Sequence, residues 1–89
     1  NKYDNNEVKY MKNISIDEKV IEVVEKSPEI VDTLVKIGFT HLGNPQMLQV
    51  VGRVMTIRLA AKNHNIALSQ IKAMLNEQGF DIMEDIENE

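Results

Sequence analysis

The stretch Gly38-Phe39-Thr40-His41-Leu42-Gly43-Asn44-Pro45-Gln46-Met47-Leu48-Gln49-Val50-Val51-Gly52-Arg53 decides how this chain folds. It holds three of the four glycines, one of the two prolines and one of the two histidines, between two segments of helical periodicity. Glycine and proline gather where the backbone needs special dihedral angles, and loops held on a rigid scaffold often carry function. Gly38 is placed to end the preceding helix in a left-handed conformation. Asn44-Pro45 is an N-cap followed by a residue suited to the first helical turn. A helix is therefore expected over residues 45–51, with Met47, Leu48 and Val51 inward and Gly52 interrupting it.

Toward the amino end, Ile30, Val31, Leu34 and Val35 recur at helical spacing, and Ser27-Pro28 reads as their N-cap and first turn. Ser15 and Glu18 read as a capping box, which predicts a helix through about Lys26 with Val20, Ile21, Val23 and Val24 as its apolar set. Ile14 and Ile16 ahead of it suit a short extended piece. Toward the carboxyl end, Thr56 caps a helix from Ile57 to about His64, with Ile57, Ala60 and Ala61 inward. Asn63-His64-Asn65 makes a turn, where asparagine tolerates positive φ. Leu68, Ile71, Met74 and Leu75 set a last helix over residues 68–78, stopped at Gly79. Phe80-Asp81-Ile82 is expected to fold back as an extended strap anchored by Phe80. The prediction is an all-α fold: a compact bundle of about five short helices, with short extended segments near residues 14–16 and 80–82. Residues 1–12 read as a flexible leader, 13–82 as one helical domain and 83–89 as an acidic tail.

Composition bounds the function. At 89 residues the chain is one domain at most, with a thin core built from Val, Ile, Leu and Met, because only Tyr3, Tyr10, Phe39 and Phe80 are aromatic. The absence of cysteine excludes disulfides, thiolate metal sites and cysteine nucleophiles. No apolar run is long enough to span a membrane and no signal segment opens the chain, so a soluble cytoplasmic protein is expected. The start at Asn1 rather than Met leads us to expect a trimmed chain. The net charge is −4, unevenly spread: residues 46–79 carry Arg53, Arg58, Lys62 and Lys72 against Glu77 alone, whereas residues 80–89 carry five acids and no base. That balance disfavours tight nucleic-acid binding.

Ser27-Pro28-Glu29, Gly38-Phe39, Gly43-Asn44-Pro45, the run Val51 to Ile57, Ala60-Ala61, Leu75-Asn76 and Gly79 together carry a resemblance. From Ile16 to about Ile82 the chain resembles a small helical family of bacteria and archaea, long known only as a domain of unknown function. One branch of that family is the hybrid-cluster-protein-associated redox disulfide domain. A more distant relative is the N-terminal domain of di-iron iron–sulfur-repair proteins. In the redox branch the central loop carries Cys-x-Gly-Cys before a proline, and those cysteine positions fall at His41 and Asn44 here. A dithiol needs both sulfurs, so the resemblance implies no redox activity for this chain. It looks like the cysteine-free branch, marked by Asn44-Pro45 and Gly52-Arg53.

At the loop, the start of the Pro45 helix offers free N–H groups and a positive dipole end suited to an anion. Arg53, if folded back, could add charge-assisted hydrogen bonds, with His41 and Gly43 beside it. These five residues, His41, Gly43, Asn44, Pro45 and Arg53, are the candidate binding site. The plainer reading is favoured, since helix caps are far commoner than anion sites: Asn44 caps, Pro45 starts the helix, Gly43 turns and Arg53 pairs with an acid.

His41 and His64 stand 23 positions apart without further ligands at metal spacing, so no metal site and no cofactor are expected. No phosphate loop, dinucleotide fingerprint or nucleophile elbow is present, so no catalytic residues are assigned and the chain is not expected to be an enzyme. Two functions remain. One is a non-catalytic interaction or accessory module with a protein partner or a second copy of itself, suggested by five methionines and spare Ile and Val. The alternative is a helix-turn-helix DNA binder over residues 56–78, with Gln70 and Lys72 facing a groove.

Overall fold

The computed structural model describes residues 11–86. Its order is strand β1 (Lys12–Ile14), helices α1 (Val20–Lys26) and α2 (Ile30–Ile37), a 3₁₀ turn (Thr40–Gly43), helices α3 (Pro45–Val51), α4 (Ile57–Asn63) and α5 (Leu68–Glu77), and strand β2 (Phe80–Ile82). The five-helix bundle expected from the sequence is present. The two extended pieces pair with each other in parallel, Lys12 beside Phe80 and Ile14 beside Ile82.

The helix ends follow the sequence where the signal is local. Asn44 and Thr56 cap α3 and α4 through their side chains. Gly38 closes α2 at φ +138°, a conformation that L side chains rarely adopt, and Asn65 turns the chain at φ 57°. One core meets all the elements: Ile16, Val20, Ile30, Leu34, Phe39, Leu42, Ile57, Ile71 and Leu75 are among its fully buried members.

Two expected starts are corrected. Ser15 and Glu18 do not form a capping box, and α1 begins only at Val20. The Ser15 hydroxyl instead donates to Glu84 and accepts from the Asp17 N–H, while Glu18 takes the Lys26 ammonium at 2.6 Å. The opening N–H groups of α1 are satisfied by distant backbone: Val20 donates to Met55 O (2.8 Å) and Ile21 to Gly52 O (3.0 Å). Tertiary acceptors have replaced the local cap. Ser27 likewise makes no side-chain cap; α2 opens with the Ile30 N–H on Ser27 O and the Val31 N–H on Pro28 O, so its first full turn starts at Ile30. Met47, expected inward, is 41% exposed, and α3 buries none of its residues fully.

Contacts among the described residues extend past residues 13 and 82. Lys12 belongs to β1, and Glu84 accepts from both Ser15 Oγ and the Ile16 N–H (3.0 Å), while Ile86 packs against the core. Residues 1–10 of the expected leader and residues 87–89 of the expected acidic tail lie outside the described residues.

Asp81 fixes β2 to α5. Its carboxylate accepts from Lys72 Nζ (2.6 Å), Asn76 Nδ2 (3.1 Å) and the Ile82 N–H (2.8 Å). The Lys72 hydrogen bond, followed by that of Asn76, holds the Asp81 carboxyl below its ordinary value of 3.8. A depressed folded pKa contributes stability above the unfolded value and loses it as pH falls through the folded one. Acid titration of stability should therefore show a loss below about pH 4 that shrinks in Asp81→Asn, read by urea midpoints at stepped pH. An unchanged acid limb in that variant would remove Asp81 from the account.

Candidate functional site

The central loop is built on two buried anchors, Phe39 and Leu42, which seat the 3₁₀ turn against the core. This leaves Gly43, Asn44 and Pro45 exposed and His41 half-buried. Asn44 Oδ1 accepts from the Gln46 N–H (2.9 Å) and the Met47 N–H (3.2 Å). The donors that an anion would need are thus already engaged by the cap.

Among the described residues, Arg53 neither folds back to that helix start nor pairs with an acid. Its Nε donates to Gln49 O (3.0 Å) and its Nη2 to Gln49 Oε1 (3.2 Å), so it closes the far end of α3, about 10 Å away by helix rise. The structure therefore keeps His41, Gly43, Asn44 and Pro45 contiguous and separates Arg53 from them. Asn44→Ala should cost about 1 kcal/mol, the usual worth of an N-cap side chain, measured by urea denaturation. A loss under a few tenths would mean that other groups satisfy those N–H donors.

The turn after α4 brings a residue that spacing in the sequence did not connect to the loop. His64 stacks on His41 with ring centroids 5.7 Å apart and planes 2° from parallel, and Phe39 meets His64 edge-on at 5.1 Å. Parallel rings keep their nitrogens in separate planes, so the pair does not converge on one ion. Among the described residues, no group of three His, Asp or Glu stands close enough to hold a metal.

A concavity lies elsewhere. A groove of about 680 Å³ runs between α4 and the start of α5, lined by Arg58, Leu59, Lys62, Ile66, Ala67 and Leu68 among others. Sequence reading passed over it, although Leu59 was a usable signal: a large apolar residue outside the Ile57, Ala60, Ala61 stripe. Leu59 is 43% exposed. At the groove's end, Arg58 is held by Asp17 through Nε–Oδ1 (2.7 Å) and Nη2–Oδ2 (3.2 Å). That hydrogen-bonded pair lowers the Asp17 pKa. A second apolar surface follows α3, where Met47, Val50 and Val54 fall at i, i+3 and i+7; both valines are 69% exposed.

A family model described as a domain of unknown function, DUF1858, matches residues 14–72. The chain belongs to the DUF1858 family. The matched span runs from Ile14 in β1 to Lys72 in α5, and it includes the central loop, the stacked histidines and the groove. The DUF1858 fold here is similar to the crystal structure of a conserved domain protein from Streptococcus pneumoniae TIGR4, with 32% identity and a TM-score of 0.77. The alignment covers 81% of this chain and 91% of that one. No curated protein matches this DUF1858 chain.

Proposed function

We propose that this DUF1858 chain is a non-catalytic accessory module of the bacterial cytoplasm that works by binding another protein or a second copy of itself. It is, in this reading, a relative of the redox disulfide branch in which His41 and Asn44 stand where that branch has its thiols. The observation that carries the reading is the set of large apolar side chains that the fold leaves outside its own core: Met47, Val50, Val54, Leu59 and Met83. Such groups gain free energy when a partner removes them from water, by roughly 25 cal/mol per Å² of apolar surface.

DNA binding has less support. The outward face of α5 carries Ser69, Gln70, Ala73 and Glu77, with no cation. Lys72, once expected to face a groove, is in an ion pair with Asp81. A duplex ligand needs several unpaired cations along one face.

Affinity capture from the native extract with mass spectrometry, followed by light scattering of the pure protein, tests the proposal. A stoichiometric protein partner or a concentration-dependent dimer is the expected result. A strict monomer at high concentration with no co-purifying protein overturns it, and a salt-dependent gel shift with duplex DNA would turn the choice to the alternative.

A further inference from the structure

The groove between α4 and α5 has a composition that selects its occupant. Of its eight lining residues, Leu59, Ala61, Ile66, Ala67 and Leu68 are apolar, Arg58 and Lys62 are basic, and none is acidic, on a chain whose net charge is −4. Arg58 is clamped by Asp17, so its guanidinium is fixed at one end. Lys62 lies one helical turn further along α4 and makes no ion pair among the described residues. An apolar floor beside an unpaired ammonium favours a ligand that is apolar on one side and anionic on the other.

We propose that this groove receives an acidic, amphipathic segment of a partner protein, which sets large apolar side chains against Leu59, Ile66 and Leu68 and aims a carboxylate at Lys62. The proposal rests on the interaction-module reading and gives it a surface and a partner chemistry. Within the chain's own acidic segment, Glu84 is held by Ser15 and Ile16, and Ile86 packs against the core. Nucleic acid fits poorly, since the one uncharged hydrogen-bonding side chain of the lining, Thr56, already accepts from the Leu59 N–H, and among the described residues of the groove Lys62 is the one cation without an ion pair. The volume of about 680 Å³ lies inside the range of roughly 300–1,000 Å³ usual for ligand pockets.

The test is selection of a random displayed peptide library on the intact protein, followed by titration of the winning peptides into isotope-labelled protein. Enriched peptides should alternate Asp or Glu with Leu, Ile or Phe, and they should shift the amide signals of Leu59, Lys62 and Ile66. Leu59→Ser and Lys62→Glu should each weaken binding by about tenfold or more, with circular dichroism and melting unchanged. Selection on Lys62→Glu should then favour basic peptides.

Neutral or basic winners on the parent protein overturn the proposal, as does a duplex DNA probe that moves the groove signals when no peptide does. Peptides or a captured partner that move Met47, Val50 and Val54 instead remove the groove while the interaction reading stands. A selection that enriches nothing, with no partner captured, removes both.

Discussion

Gly52→Ala is expected to lower stability by about 3 kcal/mol, a melting-point drop of roughly 15 °C for a domain of this size. Backbone conformation is not the reason, since Gly52 sits at φ −63° and ψ −20°, open to any residue. Space is the reason. An added Cβ would lie 2.5 Å from Leu48 O, 3.1 Å from Ile21 N and 3.2 Å from Ile21 Cβ. The two nearest atoms are backbone and cannot rotate aside. Both also belong to hydrogen bonds that Gly52 makes, its N–H to Leu48 O and its carbonyl from the Ile21 N–H. Relieving the clash therefore loosens the end of α3 and the start of α1 together. Thermal melts followed by circular dichroism decide the matter, and an unchanged midpoint would show that α1 and α3 do not approach so closely.

Phe39→Ala is expected to cost about 3–5 kcal/mol, the range for emptying a buried aromatic site. Phe39 is fully buried, in a core with few other rings to fill the space, and it braces His64 edge-on. Small domains have total stabilities of about 5–15 kcal/mol, with short chains near the low end. The variant should thus be substantially unfolded at 37 °C, seen as collapsed amide dispersion and a loss of cooperative melting. Val50→Ala, on the exposed side of α3, should change stability by less than about 0.5 kcal/mol. Similar effects from the two substitutions would mean that the core has been misplaced.

These two sites mark what the sequence could and could not disclose. Asn44, Thr56, Gly38 and Asn65 announce helix ends because each acts on backbone within a few residues of itself. The start of α1 is silent because its acceptors, Gly52 and Met55, come from more than thirty positions downstream. Ser15-Ile16-Asp17-Glu18 has the form of a local cap, yet a distant carboxylate, Glu84, claims its serine. Met47 fits an inward helical stripe, but α3 lies on the rim of the bundle and is only partly covered.

The candidate loop was legible as a turn and a helix start, and its binding role was not. Whether Arg53 reaches the helix start or the helix end depends on side-chain direction, which spacing leaves open. The stacking of His41 on His64 and the α4–α5 groove are products of tertiary packing, and only the groove left a hint in the sequence, the stray apolar Leu59.

The parallel pairing of β1 and β2 also has a mechanical meaning. Because Lys12 lies beside Phe80 and Ile14 beside Ile82, chain preceding β1 and chain following β2 leave the strip at opposite ends. Tension applied through those two segments slides one strand along the other. The bonds from Lys12 N to Gly79 O and from Met83 N to Ile14 O, with the Glu84 contacts, then bear the load in shear and at once. A hairpin in the same place would unzip one rung at a time. The small sheet thus acts as a latch in series with whatever is joined to either end of the domain.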